Sequence, residues 1–140
     1  MVIFLASYLF DRPEYMFNPG GPLTEQAWTR SPVAGSLLVD KPVYILTSSR
    51  TYSGAEQFSY DLKMLRRATL VGETTGGASH ANVLHNVDDH FAVGIPEHKP
   101  VNPFSDKDWA VTGIEPDLKV EAADAILTAQ KLAETKLRKR

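Results

Sequence analysis

The sequence contains no cysteine, which excludes a disulfide framework, a thiolate nucleophile and a cysteine-based zinc knuckle. It also lacks an excess of basic charge, because 15 Lys and Arg are balanced by 17 Asp and Glu. Domains that bind nucleic acid usually carry a basic patch or stripe, so the charge gives no reason to expect a nucleic-acid partner. The one basic cluster, at positions 136 and 138–140, fits the C-terminal end of a helix, where cations offset the helix dipole.

Long apolar runs are also absent, whereas a membrane-spanning helix needs roughly 20 apolar residues. The opening segment 1–6 is apolar but short, and it has neither the basic start of a signal peptide nor the length of a membrane span. We interpret it as part of a buried helix, and we expect upstream sequence to belong to the same fold. With 43% hydrophobic and 23% charged residues, the 140 residues have the composition of one globular domain, and no compartment is assigned.

Hydrophobic periodicity predicts a mixed α/β arrangement. Residues 43–47 form a short, β-branched apolar run typical of a buried strand, residues 53–67 have helical spacing, and residues 68–73 return to a strand. A strand, helix, strand unit normally gives parallel strands. In the helix we expect one face to pack in the core (Ala55, Phe58, Leu62, Leu65) and the other to meet solvent (Glu56, Asp61, Lys63, Arg66).

The remaining segments have weaker patterns. We predict a helix over 1–10, an irregular surface stretch over 18–38 with a helical turn near 24–28, and a flexible loop over 74–80. Strands are predicted near 90–95, 100–101 and 118–120, followed by a closing helix over 122–137. The core face of that helix is predicted to consist of Ala122, Ile126, Ala129 and Ala133.

Ser53 lies where the first predicted strand of this unit turns into the helix. A hydroxyl there is at the carboxyl edge of the sheet and at the positive end of the helix dipole, where developing negative charge is stabilised. Gly54 leaves room for a substrate carbonyl to approach its backbone N–H, as an oxyanion hole requires. The tetrapeptide 53–56 is also the pattern of a capping box, and on local pattern alone the cap is the better-supported interpretation.

The wider string resembles the tail-specific and C-terminal processing peptidases. Residues 44–58 resemble the family's strand that leads into S-A-x-E, and residues 67–77 resemble its R-A-x-x-V-G-E-x-T-x-G segment. The resemblance continues through Val101-Asn102-Pro103, Trp109 and the turn 113–117, so it covers roughly residues 1–120. It implies a crotonase-like or Clp-protease-like α/β fold, of which residues 1–140 are the C-terminal portion of the catalytic domain. It also implies Ser53 as nucleophile, Gly54 as an oxyanion donor, a peptide or protein substrate and no cofactor.

The family's two branches use different bases. In the processing-protease branch a Lys deprotonates the serine, but Ala78 occupies the matching position, so that dyad is absent. The branch with tricorn-like peptidases and interphotoreceptor retinoid-binding modules uses an upstream His and a Glu that follows a Trp. The string from Gly76 to His80 resembles this second branch, although Trp109 is followed by Ala110. The candidate substitutes for the acid are Asp106, Asp108 and Glu115.

His80 has three interpretations. It is a solvated loop residue, a residue of the substrate groove together with Gly76 and Gly77, or a base within reach of Ser53, in decreasing order of support. The histidines at 80, 85 and 90 lie five residues apart. Ligands on a helix lie four apart and ligands on a strand lie two apart, so we predict solvated loop residues rather than a metal site.

The sequence therefore predicts a serine-type peptidase domain that acts by acyl transfer and has little activity without upstream sequence, since an unassisted Ser is a weak nucleophile. The alternatives are a non-catalytic carrier of apolar ligands, similar to a retinoid-binding module, and a catalytically dead scaffold. We also expect exposed apolar edges to cause self-association or association with an N-terminal portion of the fold.

Overall fold

The computed structural model describes residues 1–20, 25–105 and 107–138. These residues form three α-helices, seven strands and two short 3₁₀ turns. In chain order these are α1 (Val2–Ala6), a 3₁₀ turn (Ser7–Leu9), β1 (Tyr15–Phe17), β2 (Ala27–Trp28), β3 (Val43–Thr47), α2 (Gly54–Met64), β4 (Ala68–Gly72), β5 (Ala81–Asn86), β6 (Ala92–His98), β7 (Leu118–Lys119), a 3₁₀ turn (Ala122–Asp124) and α3 (Ala125–Arg138).

The central sheet has the order β3–β4–β7, and both of its pairings are parallel. β3 and β4 pair in register from Val43 with Ala68 to Thr47 with Gly72, and α2 connects them, as predicted from the change of periodicity. Asp117 attaches β7 to the sheet, because its carboxylate accepts the N–H of Leu70 at 2.8 Å and its own N–H donates to Leu70 O at 2.9 Å. This contact explains why a turn with an aspartate precedes so short a strand.

Apolar residues pack on both faces of the sheet. One cluster joins α1, β1 and α2 through Ala6, Met16 and Leu62, none of which is exposed to solvent. On the opposite face, α3 packs against β4 in a cluster that contains Val71 and Ala129. Burying a side chain the size of leucine or valine stabilises a fold by about 1.5–3 kcal/mol, so these two layers hold the sheet edge beneath Ser53 in place.

The predicted solvent face of α2 is wrong at two positions, because Glu56 and Asp61 are fully buried. The predicted core face is wrong at Ala55, which is exposed. The reason is that α2 is covered on a second side by polar loops, whose N–H groups donate to the carboxylates but give no hydrophobic signal in the sequence. The helix also ends at Met64 rather than near 67, because Arg66 adopts φ 53° and the Arg67 N–H donates to Leu62 O at 2.8 Å, which closes the last turn.

The predicted core face of α3 is shifted. Ala129 is buried as expected, but Ala125 is the other buried residue, while Ala122 and Ile126 are exposed. Residues 122–124 form a 3₁₀ turn, which advances about 120° per residue, so the face predicted from a continuous α-helix is out of phase there. The helix itself is confirmed.

Two regions predicted as irregular contain strands. β5 and β6 form an antiparallel hairpin, of which only the second strand was predicted. Asn82, His85 and Asn86 are weak strand formers, so composition gave no indication of β5. The predicted helical turn near 24–28 is wrong where the structure describes it, because Ala27–Trp28 pairs with Tyr15–Phe17, while Thr24 lies outside the described residues.

None of the helices in residues 1–20, 25–105 and 107–138 combines the length and the apolar character needed to cross a bilayer.

Candidate active site

Ser53 is held in a strained turn between β3 and α2. Its backbone has φ 51° and ψ −118°, in the left-handed half of φ space that residues with a Cβ rarely occupy. Conformations of this kind cost about 1–3 kcal/mol and persist only where the surroundings enforce them. The side chain is exposed at the start of α2, as the sequence predicted.

Gly54 follows as the first residue of α2. A Cβ at this position would meet nothing within 4 Å, so open space lies beside the backbone. No acceptor in the described part of the chain receives the Gly54 N–H. An unpaired N–H at the positive end of an 11-residue helix is suited to stabilise an anion next to Ser53.

Glu56 holds the strained turn in position. Its buried carboxylate accepts the N–H of Ser53 at 2.9 Å, completing the reverse half of the capping box. The same carboxylate accepts the Thr75 hydroxyl at 2.5 Å and the N–H groups of Gly77 and Ala78 at 2.7 and 2.8 Å. One side chain therefore joins the nucleophile turn to the loop that follows β4. The capping pattern in the sequence was real, and it contributes to the geometry of the site.

The loop after β4 requires both of its glycines. A Cβ on Gly76 would lie 2.4 Å from the ring of Tyr52, the residue before Ser53. Gly77 has φ 88°, and a Cβ there would lie 2.8 Å from the backbone of Val111, whose N–H donates to Gly77 O at 2.8 Å. The loop thus passes closely between the Ser53 turn and the segment around Val111. A side chain at either glycine would push the loop away from one of these neighbours.

A cavity of about 210 Å³ opens beside Ser53. Gly54 and Gln57 of α2 line one side, and the segment from Ala78 to Ala81 lines another. The rest of the wall is mostly apolar and comes from distant parts of the chain: Val2, Phe17, Pro19, Pro100 and Trp109. The structure therefore brings Ser53, Gly54 and His80 to one cavity, while Gly76 and Gly77 support the loop that carries His80.

His80 contacts Asp108, one of the candidate acids. His80 Nε2 lies 3.2 Å from Asp108 Oδ2, and Lys99 Nζ lies 3.1 Å from the same oxygen. Partial burial favours a raised pKa for Asp108, but hydrogen bonds from the Ala110 N–H, Lys99 and His80 outweigh it and hold the pKa well below its usual value. The nearby Ser79 hydroxyl also favours the charged form, although its oxygen forms no hydrogen bond of ordinary geometry.

Of the other two candidate acids, the structure describes Glu115. Glu115 is exposed and lines a different cavity together with Tyr60, and its backbone carbonyl accepts a hydrogen bond from Lys63 at 2.6 Å. Asp106 lies outside the described residues. Asp108 is therefore the candidate acid that the described structure brings into contact with a residue of the Ser53 cavity.

Sequence reasoning missed a buried polar cluster behind the same cavity. Gln57 Nε2 donates to both carboxylate oxygens of Asp61, at 2.9 and 2.8 Å, and Asn102 Nδ2 donates to Oδ1 at 2.9 Å. Burial raises the pKa of Asp61 to about 7, and the two amide donors offset the effect only in part. The four-residue spacing of Gln57 and Asp61 on one helix face was the only signal in the sequence.

These residues present a nucleophile without a base attached to it. Within residues 1–20, 25–105 and 107–138, no His or Lys forms a hydrogen bond with the Ser53 hydroxyl. An exposed Ser, an unpaired N–H beside it and a groove along Gly76 to His80 fit acyl transfer, with the proton acceptor still to be supplied.

Comparison with known proteins identifies a family and a set of similar folds. The sequence profile of peptidase family S41 matches residues 10–120. Solved structures with similar folds include a predicted peptidase from Parabacteroides merdae (TM-score 0.73, 19% identity, 94% of this chain and 46% of that one). A predicted S41 protease from Bacteroides fragilis has a TM-score of 0.71 at 16% identity, covering 96% of this chain and 41% of that one.

A photosystem II D1 C-terminal processing protease is also similar, with a TM-score of 0.67 at 17% identity over 84% of this chain and 30% of that one. At such low identities the likeness concerns the fold, and it confirms the Clp-protease-like, crotonase-like α/β architecture implied by the sequence resemblance. This chain spans less than half the length of each of these structures.

Proposed function

Because this chain belongs to peptidase family S41, we propose that it carries the nucleophile of a serine peptidase, with Ser53 attacking a peptide carbonyl. The observation that carries the proposal is the enforced turn at Ser53, exposed beside the unpaired N–H of Gly54. A helix cap needs neither the strained φ of Ser53 nor open space at Gly54, whereas a nucleophile at a strand-to-helix turn is exposed by such a turn and needs space for the substrate carbonyl.

The reaction follows from this geometry. Ser53 Oγ loses its proton to a base and forms a bond to the substrate carbonyl carbon, while the carbonyl oxygen becomes an oxyanion held by the Gly54 N–H. Collapse expels the amine, which takes up the proton, and water then releases the acyl group from Ser53. No cofactor takes part in these steps.

We place the base in upstream sequence, as in the branch of the family that uses His. Ala78 cannot replace the Lys of the other branch, and no described His or Lys forms a hydrogen bond with the Ser53 hydroxyl. For the acid we favour Asp108 over Glu115, because its contact with His80 places Asp108 next to the wall of the Ser53 cavity, where an upstream His would have to lie. His80 then belongs to the groove with Gly76 and Gly77, and its contact with Asp108 fixes the ring against the cavity wall.

Labelling by a fluorophosphonate tests the assignment. We expect Ser53 to be labelled in a polypeptide that includes the upstream part of the fold, and labelling to be at least about 100-fold slower in residues 1–140 alone, since general-base assistance contributes about that much or more. Ser53→Ala abolishes labelling, whereas Ser36→Ala, at an exposed serine outside the site, leaves it unchanged. Absence of labelling at Ser53 in the longer polypeptide contradicts the peptidase proposal.

A carrier of apolar ligands is the second candidate, and the mainly apolar wall of the Ser53 cavity favours it. Ala110, at the position of the family's acid, is also compatible with a carrier. The volume opposes it, because about 210 Å³ is below the roughly 300–1,000 Å³ of typical small-molecule pockets. Saturable binding of a fluorescent apolar ligand by a polypeptide in which Ser53 stays unlabelled would decide for the carrier.

We also propose that the β5–β6 hairpin is an association surface, either for a second copy of this chain or for an N-terminal portion of the fold. Leu84, Val87 and Phe91 are each more than two-thirds exposed on the hairpin or its turn. Clustered exposure of large apolar side chains usually marks an interaction site.

A further inference from the structure

Gln57 lies about one helical turn after Ser53 and lines the same cavity. Its side chain is nine-tenths buried. Nε2 lies 2.9 and 2.8 Å from the two carboxylate oxygens of Asp61, so one N–H of the amide is shared between both oxygens. The two atoms of an amide point in different directions, so the same contact turns Oε1 away from Asp61.

Asp61 makes this orientation of Gln57 obligatory when its carboxylate is charged. The side chain is completely buried, and its remaining contact is the N–H of Asn102, which donates to Oδ1 at 2.9 Å. A charged carboxylate only accepts hydrogen bonds, so each neighbour must offer it a nitrogen. Above the pKa of Asp61, which is about 7, Gln57 cannot reverse its amide without placing two oxygens against each other.

Gln57 Oε1 has no hydrogen-bond donor within residues 1–20, 25–105 and 107–138. In the same residues, Ser79 Oγ and Trp109 Nε1 are the side-chain atoms that are both buried and unpaired, so Gln57 Oε1 retains access to open space. The open space at Gln57 is the Ser53 cavity. An amide oxygen only accepts hydrogen bonds, so Gln57 Oε1 is an acceptor in the cavity wall that a donor on the ligand can use.

We propose that Gln57 Oε1 accepts a hydrogen bond from the side chain of the substrate residue whose carbonyl is attacked by Ser53. The cavity then selects a small side chain that carries a donor, such as the hydroxyl of Thr, over an aliphatic side chain of the same shape. Phe17, Pro19 and Pro100 contact the carbon atoms of that side chain. Asp61 acts as a positioning residue through Gln57. The inference rests on the proposed role of Ser53.

The test compares peptidyl phosphonates that differ only in the side chain next to phosphorus, used at pH 8 on the polypeptide that includes the upstream part of the fold. Thr, Val and O-methylthreonine probes share a shape at the β-carbon, but only Thr carries a donor. We expect Thr to label Ser53 about tenfold faster than either of the others, the ratio for one lost hydrogen bond that leaves its partner unpaired. Each rate is divided by the rate with a simple alkyl fluorophosphonate, which has no side chain for the cavity.

Two variants locate the effect. Gln57→Met keeps the length of the side chain but removes the acceptor, so the Thr to Val ratio should fall to about one. Gln130→Met, the same substitution at an exposed glutamine of α3, should keep the ratio at about ten. If Gln57→Met does not fold, O-methylthreonine on the unmodified protein decides, because labelling as fast as Thr would show that the cavity does not supply an acceptor.

The outcomes separate the two proposals. Equal rates for Thr and Val with Ser53 still labelled overturn the role of Gln57 and leave the peptidase assignment intact, as does a tenfold ratio that persists in Gln57→Met. Failure of every probe, including the alkyl fluorophosphonate, overturns the peptidase assignment and with it the role of Gln57.

Discussion

The region from Ser53 to Ala78 buries charged side chains, whereas the β5–β6 hairpin that follows it exposes large apolar ones. In the first region, the carboxylates of Glu56 and Asp61 are fully buried and surrounded by donors. In the hairpin, Leu84 and Phe91 are largely exposed, and Glu97 contacts His85 at the surface. In the first region, the buried carboxylates hold the Ser53 turn and the Gln57 side chain in position. The hairpin instead adds exposed surface and contributes little to the core.

Replacing one glutamate in each region should give the largest difference in the free energy of unfolding. Glu56→Ala leaves the Ser53, Gly77 and Ala78 N–H groups and the Thr75 hydroxyl without their acceptor, so we expect the free energy of unfolding to fall by about 5 kcal/mol. Glu97→Ala removes one exposed contact, so we expect a loss below about 0.5 kcal/mol. Urea unfolding at pH 7.5 measures both, and similar losses would contradict the comparison.

Asp61→Asn should have the next largest effect, and its sign depends on pH. The folded state holds the Asp61 proton up to a pKa of about 7, above the 3.8 of the unfolded chain, so this residue lowers stability as pH rises between those values. The full difference is on the order of 4 kcal/mol. An asparagine side chain cannot ionise, so the variant should match the parent near pH 4 and be more stable at pH 8. Unfolding curves from pH 4 to 8 test this, and parallel pH profiles would refute it.

The sequence alone predicts the strands, the helix and the turn of the first region, but not the buried polar contacts between them. The β3–α2–β4 unit follows from the change of hydrophobic period between strand and helix, and the turn at Ser53 follows from its place between the two. The burial of Glu56 and Asp61 does not, because besides the local donors Ser53 and Gln57 it depends on Thr75, Gly77 and Asn102, which are distant in sequence. Likewise, β5 is invisible in composition, since its pairing with β6 supplies the hydrogen bonds that its own residues do not favour.

Ser53→Gly should change the free energy of unfolding by a smaller amount. It should raise that energy, whereas most substitutions by glycine lower it. Glycine adopts φ 51° freely, so the substitution should relieve strain and raise the free energy of unfolding by about 1 kcal/mol. Ser49→Gly is the matched control, at an exposed serine whose φ is not positive, and it should lower stability by about 0.5–1 kcal/mol. Thermal unfolding of both variants is the measurement. A loss of stability in both would mean that the Ser53 turn stores no strain.

The hairpin should give the smallest change in stability and the clearest change in association. Leu84→Ala removes a side chain that is 74% exposed, so we expect less than about 0.5 kcal/mol, against about 2–5 kcal/mol for Leu62→Ala in the core. The same Leu84→Ala substitution should reduce self-association, measured by light scattering over a range of concentrations, because it shortens the exposed apolar patch. If the parent chain stays monomeric at high concentration, the hairpin is not a surface for a second copy. An effect of Leu84→Ala as large as that of Leu62→Ala would instead place the hairpin within the cooperative core.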